Sequence, residues 1–238
     1  MLRELFGERP REWQGAHLET VQAIERFIRL MNEKGDGESR EAAICRKVVI
    51  WSEGLLRSLD ELEQSLYAAK RFAQRLTKPT VDEMSPDERL DYYRHVYFDK
   101  NAYIRLFAIL DKLGVLLNDR LGLQADRIKS RFSFFTVLRG MREHTAHAVL
   151  AEALLEGKDR HQEALTRLRR RRNMEIHHMN AELQDDLLHS LQSDASSARL
   201  ENIQENMNDL EEGWQMVSRT LLLSFLYLLK LEGAGTSS

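Results

Sequence analysis

Apolar residues recur every three or four positions along most of the chain, the spacing that gathers them on one face of an α-helix. The first predicted helix is amphipathic and ends near Gly35, because glycine is tolerated at helix ends. Its apolar positions are Leu18, Val21, Ile24, Ile28 and Met31. A second helix is predicted from about Arg40 to Leu76, with Ser39 as its amino-terminal cap.

The middle of the chain continues this pattern. Ser85 followed by Pro86 is typical of a helix start, because proline is favoured at the first helical position. This start leads into a tyrosine-rich stretch, and a further apolar segment runs from Tyr103 to Gly122. Another helix is predicted across Phe132 to Leu155.

The last part of the chain contains an arginine-rich helix after Gly157, a polar loop at Ser190–Ser197 and a final helix from about Leu200. Six to eight helices are therefore expected, and no alternating strand pattern is present. We predict an all-α fold, a multi-helix bundle with an antiparallel up-and-down core. Residues 1–232 are predicted to form a single domain, and residues 233–238 a disordered tail.

Composition narrows the class of protein. The chain has 238 residues, one cysteine and a formal net charge of −3. Cys45 falls in a helical pattern and is expected to be a small buried residue, which favours a reducing compartment and a cytoplasmic location. The longest apolar run, Leu221 to Leu229, is shorter than the roughly 20 residues that cross a bilayer, so no membrane anchor is expected.

Candidate chemistry concentrates in the sequence RRRRNMEIHH, from Arg169 to His178. Projected as a helix, its apolar stripe passes from Leu168 to Ile176, and the position missing between them is Arg172. Asn173 and His177 are four residues apart and so share a helix face. Because the net charge is negative, nucleic acid would need a local basic patch. The RNA-binding candidates in that patch, besides Arg172, are Arg167, Arg169, Arg170 and Arg171.

These residue types suit RNA cleavage without a metal or other cofactor. The reaction needs a base for the ribose 2′-hydroxyl, an acid for the leaving oxygen and a cation for the phosphorane. Histidine serves in either proton transfer, and arginine stays charged and binds phosphate oxygens. The candidate catalytic residues are Arg172, Asn173, His177 and His178. The alternative is a solvated arginine face in which Arg172 pairs with a core carboxylate such as Asp111.

The segment Arg172-Asn173-Met174-Glu175-Ile176-His177 resembles the signature of the HEPN superfamily: an arginine, a polar residue that is often asparagine, and a histidine after four to six positions. His178 matches the same signature with a spacing of five, so spacing does not choose between the histidines. The segment Tyr103 to Leu123, and FSFF at Phe132–Phe135, are similar to a bacterial branch of HEPN proteins. The resemblance is expected to cover about 92–232.

The resemblance implies an α-helical bundle that commonly forms a homodimer, with two copies of the motif facing a shared cleft. In active members the arginine and histidine act as a metal-independent endoribonuclease. Many such proteins are toxins or anti-phage effectors, and an antitoxin partner is then expected. Other members have lost catalysis and only bind nucleotides, RNA or protein partners.

Three other interpretations of the chain remain open. His144 and His147, three apart, could join His177 or His178 in a three-histidine metal centre, as in the DinB-like helical bundles. Glu175 and His178 also form a Glu-x-x-His pair, although a di-iron site needs a second pair. Alternatively, the chain is a helical interaction protein without chemistry. The environment of Arg172 distinguishes these possibilities, because a buried ion pair favours a scaffold and an open cleft favours a site.

Overall fold

A computed structural model describes residues 2–125, 133–177 and 202–234 of the chain, without the side chains of His177 and Ala234. Its helices are α1 (Leu2–Leu5), α2 (Gly15–Lys34), α3 (Arg40–Ala73), α4 (Pro86–Arg120), α5 (Phe134–Glu143), α6 (Ala148–Arg160), α7 (Gln162–His177) and α8 (Ile203–Ala234). Two short 3-10 turns lie at Val81–Glu83 and Thr145–His147. The described ranges contain no β-strand, which confirms the all-α prediction.

Serine caps begin three of these helices. The Ser39 hydroxyl accepts a hydrogen bond from the Ala42 amide at 3.0 Å, and the Ser85 hydroxyl accepts one from the Glu88 amide at 3.2 Å. The Ser133 hydroxyl accepts a longer bond from the Thr136 amide at 3.4 Å. Each bond satisfies an amide that has no partner within its helix. The predicted starts of α3 and α4 are thus confirmed.

Side-chain contacts give the direction of each helix. Between α3 and α4, Lys47 pairs with Asp119 while Ser65 bonds to Asn101, so these two helices are antiparallel. Between α2 and α8 the residue numbers of the contacting partners rise together, from His17 with Ser218 to Lys34 with Glu232, so these two helices are parallel. Contacts of His161 with Glu212 and of Arg167 with Asp209 make α7 antiparallel to α8. Arg11, just before α2, bonds Asp60, and Gly35, just after it, bonds Arg46, so α2 and α3 are antiparallel. Ala146 before α6 contacts Tyr227, and His161 after it contacts Glu212, so α6 is antiparallel to α8. The order is up, down and up for α2, α3 and α4, then down for α6 and α7, and up for α8. This arrangement confirms the predicted up-and-down core.

One apolar core runs through the bundle. Its members come from α2 to α8, with the Phe27 and Phe225 rings packed edge to face at 5.3 Å between their centroids. Cys45 is buried within it as a free thiol, as expected. The limits of the domain stay a prediction. The final helix extends to Ala234, two residues into the segment that we expected to be a tail.

Three predicted helix boundaries differ from the structure. The tyrosine-rich stretch and the segment from Tyr103 form one continuous helix, α4. The helix predicted across Phe132 to Leu155 is interrupted between α5 and α6, where the Tyr227 hydroxyl of α8 donates to the Ala146 carbonyl at 3.1 Å and bonds His147 Nδ1 at 2.8 Å. The arginine-rich helix begins at Gln162 rather than just after Gly157, because α6 continues to Arg160. The predicted loop at Ser190–Ser197 lies outside the described residues.

Candidate functional site at the end of α7

The motif helix α7 is held in a groove between α4 and α8. Its buried apolar positions are Ala164, Leu165 and Leu168. Gly213 of α8 lies directly against Leu168 and against Leu106 of α4, so close that a Cβ atom at this glycine would come within 2.9 Å of the Leu168 Cδ1 atom. This close approach fixes α7 against both neighbouring helices and leaves its opposite face at the surface.

Two arginines of α7 form ion pairs with buried carboxylates. Arg167 binds Asp209 of α8 through both Nε and Nη2, at 2.8 and 2.7 Å, and this hydrogen bonding raises the pKa of Arg167. Arg171 forms an ion pair with Asp99 of α4, which is only 3% exposed, and its guanidinium lies 4.9 Å from the centroid of the Tyr103 ring. These two arginines join α7 to its neighbours on both sides.

Arg172 has a different environment from the one expected. Its Nη1 donates to the Asn173 Oδ1 at 3.1 Å, and its guanidinium carbon lies 5.7 Å from the centroid of the Phe107 ring. Among the described residues it forms no ion pair with a carboxylate, and Asp111 instead accepts a hydrogen bond from the Phe134 amide at 3.1 Å. The side chain is partly exposed.

The predicted apolar stripe is therefore wrong beyond Leu168. Arg171, three residues on, turns toward the core, and Ile176 is 49% exposed. The helical repeat of about 3.6 residues falls between the third and fourth positions, so the neighbouring helices decide which of them is buried. Here the residue three positions after Leu168, Arg171, turns inward because it forms an ion pair with the Asp99 carboxylate on α4. Glu175 then pairs with Lys100 at 3.2 Å, at the edge of the same contact.

The histidines of the motif lie at the limit of the described part of the chain. His177 is the last residue of α7, one turn after Asn173, so the backbone places these two residues on one side of the helix. Asn173 itself is partly exposed. The side chain of His177 and the whole of His178 lie outside the described residues.

Arg169 and Arg170 complete the basic patch. Both are exposed, and Arg169 lies over the Phe135 ring of α5, with its guanidinium carbon 4.4 Å from the ring centroid. Desolvation lowers the pKa of Arg169, the nearby charge of Arg172 lowers it further, and Asp111 opposes the shift. Arg169 and Arg172 are three residues apart on α7, so they lie on the same side of the helix.

Several residues that shape this site were not predicted. Asp99 and Asp209 neutralise two arginines, while Phe107 and Phe135 support two others. One sequence feature could have identified Asp99, because it continues the apolar stripe of α4 with Tyr103 and Leu106, and a carboxylate on such a stripe requires a buried partner. The remaining contacts join distant parts of the chain.

The histidines proposed for a metal centre are not arranged on one helix. His144 ends α5 and His147 lies in the following 3-10 turn, with 6.3 Å between their ring centroids. His147 Nδ1 is hydrogen-bonded to the Tyr227 hydroxyl. Within the described ranges, no group of three or more histidine, cysteine or acidic side chains is placed to bind a metal ion.

Comparison with known protein families identifies the chain. A family model described as HEPN_Cthe2314-like HEPN matches residues 51–229, which is most of the sequence and includes the whole of α7. The chain belongs to the HEPN_Cthe2314-like HEPN family. This membership confirms the HEPN resemblance, and the match begins within α3, ahead of the predicted start at about 92. Searches of curated proteins and of solved structures found no match.

Among the helices of this HEPN protein that the structure describes, none combines enough length with enough apolar sequence to cross a bilayer.

Proposed function

We propose that this HEPN protein is a metal-independent endoribonuclease with a site formed by Arg172, Asn173 and His177, supported by His178. The main observation in support of this proposal is the environment of Arg172. Arg171 occupies the buried ion pair with Asp99, whereas Arg172 is partly exposed and hydrogen-bonded to Asn173. An arginine that is held by a neutral amide keeps its full charge for a phosphate. Family membership adds support, because active HEPN proteins use an arginine and a histidine in this order.

The proposed reaction is an internal transfer at phosphorus. A histidine takes the proton from the ribose 2′-hydroxyl, and the 2′-oxygen attacks the adjacent phosphorus. The bond from phosphorus to the 5′-oxygen of the next nucleotide breaks, and an acid protonates that oxygen. The products are a 2′,3′-cyclic phosphate and a 5′-hydroxyl. Arg172 offsets the charge of the phosphorane, and Asn173 positions the guanidinium through its 3.1 Å hydrogen bond.

The site is proposed to act in a cytoplasmic homodimer. One motif supplies few groups for two proton transfers, and a two-fold axis would double them without any change in sequence. Light scattering at micromolar concentration should give twice the chain mass of 27.8 kDa. A monomer with full activity would disprove the composite site. An RNase of this kind requires restraint in the cell, so an antitoxin is the proposed protein partner.

Cleavage of single-stranded RNA in the presence of EDTA tests the proposed chemistry. The wild-type protein should leave 2′,3′-cyclic phosphate ends and should spare DNA, which lacks the 2′-hydroxyl. His177→Ala and Arg172→Ala should each lower the rate by about two decades or more, as expected for a lost general acid or base or a lost oxyanion contact. His178→Ala measured in parallel decides which histidine is essential.

Two results would contradict this proposal in different ways. If the wild type and both variants are equally inert over a panel of RNAs, the protein binds nucleotides, RNA or helical partners without chemistry. If EDTA abolishes cleavage, the activity depends on a metal, and the DinB-like interpretation through His144 and His147 gains support.

A further inference from the structure

The five arginines between Arg167 and Arg172 are not equivalent in the structure. Arg167 and Arg171 are neutralised by buried carboxylates, Asp209 and Asp99. Arg170 is exposed. Only Arg169 and Arg172 remain as cations that lie on aromatic rings and form no ion pair with a carboxylate in the described part of the chain. They are three residues apart, which places them side by side on the surface of α7.

The two supporting rings differ in burial, since Phe107 is buried and Phe135 is half-buried on a closely packed backbone. Phe107 is 5% exposed in the middle of α4. Phe135 follows Phe134, whose amide donates to Asp111 at 3.1 Å and whose Cα atom lies 3.0 Å from the position of a Cβ atom at Gly114. Gly114 therefore lets the start of α5 contact α4 closely. An aromatic face beneath a guanidinium attracts its charge and restricts its orientation.

We infer that Arg169 and Arg172, supported by Phe135 and Phe107, form a binding subsite for a phosphate of single-stranded nucleic acid. Two neighbouring like charges are unfavourable in the free protein, and a bound phosphate would relieve that repulsion. Burial and the charge of Arg172 lower the pKa of Arg169, in agreement with this repulsion, although Asp111 partly offsets it. Guanidinium groups also bind phosphate oxygens through two parallel hydrogen bonds.

This subsite deepens the proposed function and rests on it only for its location, since Arg172 belongs to both. The subsite adds Arg169 as a residue that binds the phosphate backbone of the nucleic acid and takes no part in proton transfer. Phosphate binding needs no 2′-hydroxyl, so single-stranded DNA should bind there without being cleaved. Binding and cleavage can therefore be measured separately on the same protein.

Fluorescence anisotropy of a short labelled single-stranded DNA, titrated at several salt concentrations, tests the inference. Arg169→Gln and Arg172→Gln should each weaken binding about tenfold, the effect of losing a hydrogen-bonded charge. Each should also reduce the slope of log affinity against log salt by about 0.7, as for one phosphate contact on a single strand. Arg170→Gln makes the same charge change on the same helix, and the sequence pattern named Arg170 as an RNA-binding candidate too. The subsite predicts otherwise: because no ring lies beneath Arg170 in the described part of the chain, the affinity of Arg170→Gln should stay within about twofold of wild type, which would remove Arg170 from the candidates.

A second variant removes the support without changing the charge. Phe135→Leu keeps an apolar side chain but removes the ring beneath Arg169, and it should weaken binding by roughly threefold to fivefold. Circular dichroism of each variant confirms that it is folded. The inference is wrong if Arg169→Gln and Arg170→Gln weaken binding equally, because α7 would then present a uniform basic face, or if the wild type binds no DNA at low salt.

The results also separate this inference from the proposed function. A wild type that never cleaves RNA, yet loses affinity in Arg169→Gln and not in Arg170→Gln, would confirm the subsite and refute the nuclease. An active nuclease in which Arg169→Gln binds as wild type would refute the subsite alone.

Discussion

Replacing Arg171 or Arg172 by methionine tests how the structure divides the roles of two adjacent arginines. Methionine keeps most of the length and apolar contact of the side chain and removes the charge. Arg171→Met leaves the Asp99 carboxylate without its guanidinium partner, at a site where Asp99 is 3% exposed. Arg172→Met removes a hydrogen bond to an asparagine that can turn to water.

The expected difference in stability is large. Removing one partner of a buried ion pair costs about 3–5 kcal/mol, because the remaining charge stays desolvated. The Arg171 side chain is 18% exposed, which places the loss near the lower end, at about 3 kcal/mol. For a chain of this size, such a loss lowers the melting temperature by roughly 6–12 °C. Arg172→Met should stay within about 0.5 kcal/mol of wild type, as for most partly exposed positions.

Thermal and urea unfolding, followed by circular dichroism, measure both variants under one condition. The double variant Arg171→Met with Asp99→Leu should recover most of the lost stability, because neither buried charge then remains. Equal destabilisation by Arg171→Met and Arg172→Met would refute the assignment of Arg171 to the core. So would a double variant as unstable as the sum of its single changes.

Two other predictions concern α8. The neutral imidazole of His17 accepts a hydrogen bond from the Trp214 indole and bonds the Ser218 hydroxyl, both at 2.9 Å, and burial lowers its pKa against the opposing charges of Glu211 and Glu63. The stability that the neutral His17 side chain contributes should be complete above about pH 6.5 and should be lost as the pH falls through the lowered pKa. The urea midpoint of His17→Gln should therefore depend less on pH between about 7.5 and 5 than the midpoint of wild type does. An equal dependence in both proteins would contradict this. Gly213→Ala forces a methyl group against Leu106 and Leu168 and should cost about 1–3 kcal/mol, reduced by the roughly 1 kcal/mol that alanine gains in a helix. An added Cβ at Gly157 meets no atom of the other described helices within 4 Å, so Gly157→Ala should instead be stabilising in the same denaturation assay. Similar losses in both variants would argue against close packing at Gly213.

The amino-acid sequence alone determined that the chain is helical and where α3 and α4 begin. Ser39 and Ser85 bond amides only three residues away, so the information that begins α3 and α4 is local. The apolar period likewise needs no distant residue, and it correctly predicted an all-α bundle. The motif at the end of α7 could also be recognised, because its residues are neighbours along one helix.

Tertiary structure alone decided which side chains of that motif face which surroundings. The sequence pattern predicted that Arg172 occupies a core position of α7. In the structure it is Arg171 that turns toward the core, because it forms an ion pair with Asp99 on α4. At the break between α5 and α6, the Ala146 carbonyl is likewise bonded by a residue from a distant segment, Tyr227 of α8. The aromatic supports of Arg169 and Arg172 come from α5 and α4. Helical periodicity fixes a side chain's direction only relative to its own helix, and adjacent residues differ by about 100°. The absolute direction depends on how the helices pack, and the buried charges and close contacts between distant segments determine that packing.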